Sequence, residues 1–220
     1  MVIAQCKQLI KIYPGAHDFR ALDEVSLSIK QGEFVSIMGP SGCGKSTLLN
    51  ILGLLDEPSG GEYVLNGVPT EKLGDARRTE LRRNQIGFIF QSFNLMPRLS
   101  VLENIALPMR YTQMPRADIL PRARELAARV GLEKKLRSTP LQLSGGQCQR
   151  VACARSLANN PSIILADEPT GNLDSKASAD ILTLLKESND SGMTIIMVTH
   201  DSKIAAGTHR IIHMKDGKIV

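Results

Sequence analysis

A glycine-rich segment near the start of the chain has the clearest chemical pattern in the sequence. Gly39 and Gly44 are separated by four residues, and Lys45 and Ser46 follow directly. This spacing is typical of a loop whose amides converge on phosphate oxygens, with Lys45 neutralising the β- and γ-phosphates and Ser46 ligating Mg²⁺. A tight turn without chemical function is the alternative. The predicted phosphate contacts are Gly39, Pro40, Ser41, Gly42, Cys43, Gly44, Lys45, Ser46 and Thr47.

Two adjacent carboxylates end a short apolar segment. Asp167 and Glu168 follow residues 163–166, which have the pattern of a buried strand. Like charges at a strand end repel one another, so stability does not explain the pair. In nucleoside triphosphatases the first acid holds Mg²⁺ through water and the second polarises the attacking water. We therefore predict Asp167 as a metal ligand and Glu168 as the catalytic base, the alternative being that both cap the following turn.

A third motif begins a helix. Residues 143–147 read Leu-Ser-Gly-Gly-Gln, and Ser144 with Gln147 forms a capping-box pattern before the helical stretch 148–158. A helix N-terminus attracts anions, and Gly145 and Gly146 allow a phosphate to approach its amides. The chain therefore has two predicted phosphate-binding segments, although this motif alone would indicate only a helix start.

Strands and helices that could position these motifs alternate along the chain. Near-continuous apolar runs predict parallel strands buried on both faces. These runs are residues 35–38, 86–90, 162–166 and 193–199. Helical periodicity at 46–55 follows the first run, so the core is predicted to be α/β.

The two ends and the middle of the chain follow other patterns. Residues 3–12 and 21–29 alternate apolar and polar positions, which predicts an antiparallel sheet, and Asp216-Gly217 predicts a hairpin. No strand pattern occurs between residues 92 and 158, where a capping box at Ser100 and a helical repeat over 117–130 are found instead. We expect one domain, 1–220, with a helical subdomain of about residues 92–158 inserted in it.

The three motifs, in this order, resemble the ATP-binding subunits of ABC transporters. The pentapeptide 143–147 is the signature of that family, and the likeness extends over essentially the whole chain. The resemblance implies a P-loop NTPase core with a mainly parallel sheet, an N-terminal antiparallel β-subdomain and an inserted helical subdomain. It also implies ATP hydrolysis with ATP and Mg²⁺ as cofactors.

The resemblance gives roles to further residues. Gln91 resembles the family's glutamine that senses Mg²⁺ and the γ-phosphate, and His200 resembles its switch histidine. Residues 171–174, which end at Asp174, resemble a loop that crosses the dimer interface, and Tyr13 occupies the place where an aromatic ring stacks on adenine. Outside this framework, a lone His or Tyr is more often a packing residue.

The amino-acid sequences of residues 88–104 and 168–174 resemble those of the branch containing the lipoprotein-release, macrolide-export and cell-division ATPases. This resemblance implies a homodimer that works with separate transmembrane permease subunits on the cytoplasmic face of the bacterial inner membrane. The alternatives are a soluble ATPase of the iron–sulfur-assembly kind and a cell-division regulatory ATPase. Apolar residues after Gln91 predict the docking surface for the partner. They are Phe93, Leu95, Met96, Leu99, Val101, Leu102 and Ile105.

Composition narrows the class of protein. A hydrophobic content of 42% is enough for a sizeable core, no stretch has the length of an apolar membrane span, and the first residues lack a secretion pattern. The four cysteines have no metal-ligand spacing, so we expect reduced thiols that pack as small hydrophobes. Arginine clusters contribute to the net charge of +5, but no aromatic residues are interleaved for base stacking, so no nucleic-acid partner is expected.

Overall fold

The computed structural model describes residues 1–15 and 17–220. The chain forms two compact units, one made of Met1–Arg82 with Gly192–Val220 and the other of Arg83–Ser191. The elements of the first unit are β1 (Val2–Tyr13), β2 (Phe19–Lys30), β3 (Phe34–Met38), α1 (Lys45–Leu52), β4 (Gly60–Leu65), β5 (Val68–Pro69) and α2 (Asp75–Gln85), which continues into the second unit. The elements of the second unit are β6 (Ile86–Ile89), α3 (Val101–Ala106), α4 (Arg116–Arg129), α5 (Gly145–Ser156), β7 (Ile163–Asp167) and α6 (Ser175–Asp190). The first unit ends with β8 (Thr194–Val198), α7 (Ser202–Ala205), β9 (Arg210–Lys215) and β10 (Lys218–Ile219).

The first unit contains the predicted antiparallel sheet. Its strands lie in the order β2-β1-β4-β5, and β1 pairs with both β2 and β4. From Val25 onward alternate residues of β2 are buried, namely Val25, Leu27 and Ile29, because one face of the sheet packs on the interior and the other meets solvent. The hairpin of β4 and β5 is an addition that the sequence patterns did not predict.

The parallel strands of the first unit position the phosphate loop. Strand β3 lies between β8 and β9 and pairs with both in parallel register, with Phe34 opposite Ile195 and Val35 opposite Arg210. Four of the five β3 residues are buried, which is what a near-continuous apolar strand requires. The predicted Asp-Gly hairpin joins β9 to β10, with φ of 48° at Asp216 and 77° at Gly217.

The second unit combines two parallel strands with helices. Strand β6 pairs with β7 from Ile86 opposite Ile163 to Ile89 opposite Ala166. Gly87 allows the close approach of α5, because a Cβ there would clash with the Ser156 carbonyl oxygen. Helices α3, α4 and α5 share one hydrophobic core, and residues 92–158 contain no strand, as predicted. The α/β fold class inferred from the sequence is confirmed.

Two expectations need correction. The helix expected over 46–55 ends at Leu52, and Leu54 has a φ of 54°, a conformation that no helix accepts. Val101 and Ile105 were expected to contribute to an exposed docking surface, but both are fully buried in the helical core because they face α4 and α5. Separately, no helix among the described residues has the length and hydropathy needed to cross a membrane.

Candidate functional site

The phosphate loop joins β3 to α1. Gly42 has a φ of 78° and Gly44, the residue before the helix, a φ of 99°. Left-handed residues alternating with ordinary ones turn successive amides toward a common point, which creates an anion-binding concavity. Gly44 could carry no side chain in any case, because a Cβ would clash with the Ala21 carbonyl oxygen. Helix α1 then presents its first N–H groups, which have no acceptor within the helix.

Lys45 is held against this loop. Its Nζ donates to the carbonyl oxygens of Gly39 and Pro40, both at 2.8 Å, and lies 3.9 Å from the Cys43 sulfur. The residue is only 8% exposed, so its charge is concentrated at the loop. Phosphate oxygens would give this ammonium charged acceptors in place of neutral ones, and charge-assisted bonds are about twice as strong. The loop therefore fits a polyphosphate.

Tyr13, the predicted nucleobase contact, lies beside the phosphate loop, where its hydroxyl meets that of Thr47. Burial and a 2.8 Å hydrogen bond to Asp56 raise the pKa of its phenol, while the Thr47 hydroxyl acts in the opposite direction. The Lys11 ammonium lies 4.8 Å from the ring centroid and forms a 2.6 Å ion pair with Asp56. Lys11 and Asp56, which the sequence analysis did not single out, thus fix the orientation of a ring that is 38% exposed.

Gln91 and Glu168 belong to one cluster in the second unit. The Gln91 side chain donates to Asn172 Oδ1 at 3.5 Å, and Asn172 Nδ2 donates to the Gln91 carbonyl at 3.2 Å. A Cβ at Gly171 would lie 2.8 Å from Gln91 Nε2 and 3.2 Å from a Glu168 carboxylate oxygen, so both side-chain ends lie beside this glycine. Sequence reasoning missed Asn172, although it lies inside the loop that was assigned to the dimer interface.

Glu168 also has an unusual backbone. Its φ of 43° is left-handed, a conformation that costs a non-glycine residue about 1–3 kcal/mol. The turn after it is closed by the Gly171 N–H donating to the Glu168 carbonyl at 3.0 Å. Strained backbone of this kind concentrates at functional sites. Asp167 ends β7 and directly precedes this turn.

The signature segment begins α5 with the predicted capping box. The Ser144 hydroxyl accepts from the Gln147 N–H at 3.3 Å, and the Gln147 side chain accepts from the Ser144 N–H at 3.0 Å. Gly145 lies close to Phe93, Asn172 and Leu173, so the signature meets the loops on both sides of the Gln91 cluster. Gly146 has a packing reason of its own, because a Cβ there would lie 2.7 Å from the Ala177 Cβ on α6.

The remaining predicted site residues take up other positions. Asp174 caps α6 by accepting from the Ala177 N–H at 2.8 Å, so it has a structural role besides the one expected at a dimer interface. His200 lies two residues after the end of β8 in the first unit and is exposed. The first unit thus contains Tyr13, residues 39–47 and His200, whereas Gln91, Asp167, Glu168, the signature and residues 171–174 belong to the second.

Two residues missed by the sequence analysis hold the segment after Gln91. Arg155 of α5 donates to the carbonyls of Phe93 at 2.8 Å and Asn94 at 2.5 Å, and burial lowers its pKa. Phe93 and Asn94 have φ values of 61° and 48°, so the arginine stabilises a strained turn. The Asn104 side chain is fully buried and bonds four backbone groups of residues 96–100. The available signal for Arg155 was its position directly after the apolar run 151–154.

The four cysteines are free and buried, as expected. Burial raises the pKa of Cys6 and of Cys153 to about 12, and it also raises the pKa of Cys148. Thiols that stay protonated are poor nucleophiles, so these three pack as hydrophobes. No group of three or more His, Cys, Asp or Glu side chains gathers as a metal site within residues 1–15 and 17–220.

Comparison with known proteins identifies the family of this chain. A family model described as "ABC transporter" matches residues 22–171. The chain therefore belongs to the ABC transporter family. It is an ATP-binding subunit and an ATPase.

The relatives refine this assignment. The chain is 50% identical over 217 residues to the uncharacterized ABC transporter ATP-binding protein MJ1508 of Methanocaldococcus jannaschii, with 98% of this chain and 97% of that protein covered. It is 48% identical over 221 residues to the macrolide export ATP-binding/permease protein MacB of Aggregatibacter actinomycetemcomitans, covering 100% of this chain but 34% of MacB. The dimeric post-hydrolysis structure of the cassette MJ0796, bound to ADP and Pi, matches with a TM-score of 0.91 at 48% identity, covering 99% of this chain and 96% of that one. MJ0796 is also from Methanocaldococcus jannaschii. The branch resemblance inferred from the sequence is confirmed.

Proposed function

We propose that this chain powers an export or extraction transporter as a homodimer that holds two Mg²⁺–ATP molecules between its subunits. The observation that carries the proposal is that the chain has two anion-binding helix N-termini, one at Lys45 and one at the signature. A single triphosphate bound by one chain needs only one of them. A two-fold dimer uses both, because each signature then faces the phosphate bound by the opposite chain. MJ0796 supports this arrangement, since its cassette is dimeric with ADP and Pi.

The nucleotide contacts follow from the chemistry of each side chain. Tyr13 stacks on adenine, the loop 39–47 binds the phosphates through its amides, and Lys45 neutralises their charge. Ser46, Asp167 and Gln91 supply the oxygen donors that Mg²⁺ prefers, and the metal contributes charge neutralisation at the phosphates. The residues proposed to contact the nucleotide bound by the opposite chain are Ser144, Gly145, Gly146, Gln147 and Asp174.

Hydrolysis requires a positioned water and a base. Glu168 accepts a proton from the water that attacks the γ-phosphorus, and the bond from that phosphorus to the bridging oxygen of ADP breaks. His200 contacts the γ-phosphate, and Gln91 orients the water and reports the presence of that phosphate. The left-handed turn at Glu168 supports this assignment, because strained backbone concentrates at functional sites and the carboxylate lies beside Gly171, as the Gln91 amide does.

Two substitutions test these roles. Lys45→Ala should abolish ATP binding and hydrolysis, because no other side chain replaces its charge at the loop. Glu168→Gln should bind ATP normally and hydrolyse it at least about a hundredfold more slowly, since the amide keeps the shape and loses the base. Purified Lys45→Ala protein with wild-type turnover would refute the assignment.

The cross-chain arrangement can be tested with mixed dimers that carry Lys45→Ala and Ser144→Arg. When the two changes lie on different chains, both fall in the same composite site and the other site stays intact. When both lie on one chain, each composite site has one damaged half. Nucleotide trapping per dimer should therefore be about half of wild type in the first case and nearly absent in the second. The reverse result, with trapping nearly absent in the first case and about half of wild type in the second, would show that each chain completes its own site.

A membrane permease is the proposed partner, which places the chain at the cytoplasmic face of a membrane. Its support is the likeness to MacB, an ATP-binding/permease protein of which this chain covers 34%. Met96, 47% exposed beside the turn that Arg155 holds, is the proposed contact, and Leu95 and Leu102 are half-buried against the helical core. Met96→Asp should prevent co-purification with the permease while the isolated chain keeps its ATPase rate. Co-purification with a soluble partner only would favour the iron–sulfur-assembly kind of ATPase.

A further inference from the structure

The side-chain amide of Gln149 joins the signature helix to the backbone on both sides of the proposed catalytic cluster. Its Nε2 donates to the Pro169 carbonyl at 2.7 Å and, more weakly, to the Phe90 carbonyl at 3.5 Å. Pro169 directly follows Glu168, and Phe90 directly precedes Gln91. One side chain therefore contacts the peptide groups next to both residues.

Packing does not explain an amide at this position. Gln149 is fully buried, and its Oε1 has no hydrogen-bond donor among the described residues. A buried acceptor without a partner costs about 1–3 kcal/mol, whereas an apolar side chain of similar length would fill the same volume without that cost. The two donated hydrogen bonds are what an apolar residue could not supply.

The position of Gln149 on α5 links it to the signature. The helix begins at Gly145, its N-cap is Ser144, and Gln149 lies just over one turn along the same rigid element. A small displacement of the helix start would move the Gln149 amide with it. That amide would then shift the left-handed turn of Glu168 and the strand end that precedes Gln91.

We propose that Gln149 is a positioning residue that couples the signature segment to Glu168 and Gln91 of the same chain. The inference rests on the proposed roles of those two residues. In a dimer whose signature contacts the partner's nucleotide, this amide connects the ATP bound at one composite site to the catalytic residues of the other. A rigid helix and two hydrogen bonds are sufficient for such coupling.

Gln149→Met tests the inference, because methionine keeps the length and removes the donors. The turnover number should fall about tenfold to a hundredfold, as expected when reacting groups are misplaced by an ångström or less. The dissociation constant for Mg²⁺–ATP, measured with non-hydrolysing Glu168→Gln protein as the background, should stay within about twofold, since the Lys45 contacts all lie within the first unit. The midpoint of thermal unfolding should change little, because the variant removes the unpartnered Oε1 but also leaves the buried Pro169 carbonyl without its donor.

A second variant distinguishes hydrogen bonding from packing. Gln149→Glu can donate to the Pro169 carbonyl only when its carboxyl is protonated, and burial beside carbonyl oxygens raises that pKa. Its activity relative to wild type should therefore increase as pH is lowered from about 8.5 to about 6. Ser156→Ala is the matched control, since its buried hydroxyl bonds only the Cys153 carbonyl of the same helix, and it should behave as wild type.

Three outcomes would overturn the inference: Gln149→Met turnover within about twofold of wild type, a parallel loss of ATP affinity, or a fall in its unfolding midpoint that accounts for the lost activity. If the activity of Gln149→Glu relative to wild type does not vary with pH, the donated hydrogen bond is excluded as the cause. Glu168→Gln, assayed in parallel, separates the two proposals. If that variant hydrolyses ATP at the wild-type rate, the catalytic assignment fails, whatever Gln149→Met does.

Discussion

Asn104 should be one of the most sensitive positions in the segment after Gln91. Its amide accepts from the Met96 N–H at 2.8 Å and donates to the carbonyls of Met96, Leu99 and Ser100 at 3.0–3.1 Å. After Asn104→Ala, Met96 and Ser100 keep other partners for their carbonyls, from the Leu99 and Asn104 N–H groups. The Met96 N–H and the Leu99 carbonyl lose the Asn104 side chain as their hydrogen-bond partner.

The size of the effect follows from these two groups. An unsatisfied buried group costs about 1–3 kcal/mol, and water can reach the exposed Met96 side of the loop, so we expect a loss of about 3 kcal/mol in the free energy of unfolding. For a chain of this size that corresponds to a fall of about 6–12 °C in the unfolding midpoint.

Circular dichroism during heating and urea unfolding measures this loss. Ser188→Ala is the control, because its hydroxyl is also buried but bonds only the Leu184 carbonyl of its own helix, and it should cost less than about 1 kcal/mol. Hydrogen exchange should also become faster in residues 96–100 of Asn104→Ala. An unfolding free energy within about 1 kcal/mol of wild type would refute the view that this amide holds the segment.

Further predictions concern packing, pH and thiol reactivity. Gly146→Ala should destabilise the protein by about 1–3 kcal/mol, and adding Ala177→Gly should restore stability if packing is the reason for this glycine; activity that stays lost in the double variant would indicate phosphate approach instead. Ser100 lowers the pKa of Glu103 by hydrogen bonding, so this stabilisation is present above the ordinary glutamate pKa and is lost as pH falls through the lowered value. The difference in unfolding free energy between wild type and Ser100→Ala should therefore narrow below about pH 4; a constant difference would contradict the pKa shift. Cys153 should react with iodoacetamide at pH 8 only after unfolding, and rapid labelling of the native protein, located by mass spectrometry, would contradict its burial.

Local patterns predicted the motifs and the elements that carry them. The phosphate loop, both capping boxes and the Asp-Gly hairpin each depend on a few neighbouring residues, and the structure has them where they were expected. Val101 and Ile105 show the limit of this reasoning. Their apolar character was clear from the sequence, but only the packing of α3 against α4 and α5 decides that they face the core.

Contacts across long sequence separations could not be predicted from one sequence. Gln149 meets Pro169 and Phe90, Arg155 meets Phe93, and Asn172 meets Gln91 because α5 packs against β6 and the loops at its end. No periodicity or spacing reports such pairs. The left-handed backbone at Glu168 is equally invisible in the sequence, since glutamate rarely adopts it.

The central claim is that two ATP molecules hold two copies of this chain together and that Glu168 ends this state by hydrolysis. Sedimentation of purified Glu168→Gln protein with Mg²⁺–ATP, compared with Mg²⁺–ADP, tests it most directly. We expect a stable dimer with ATP and mainly monomer with ADP, because only ATP supplies the γ-phosphate that the opposite signature contacts. The same sedimenting mass of the protein with ATP and with ADP, or continued ATP hydrolysis by this variant, would contradict this claim.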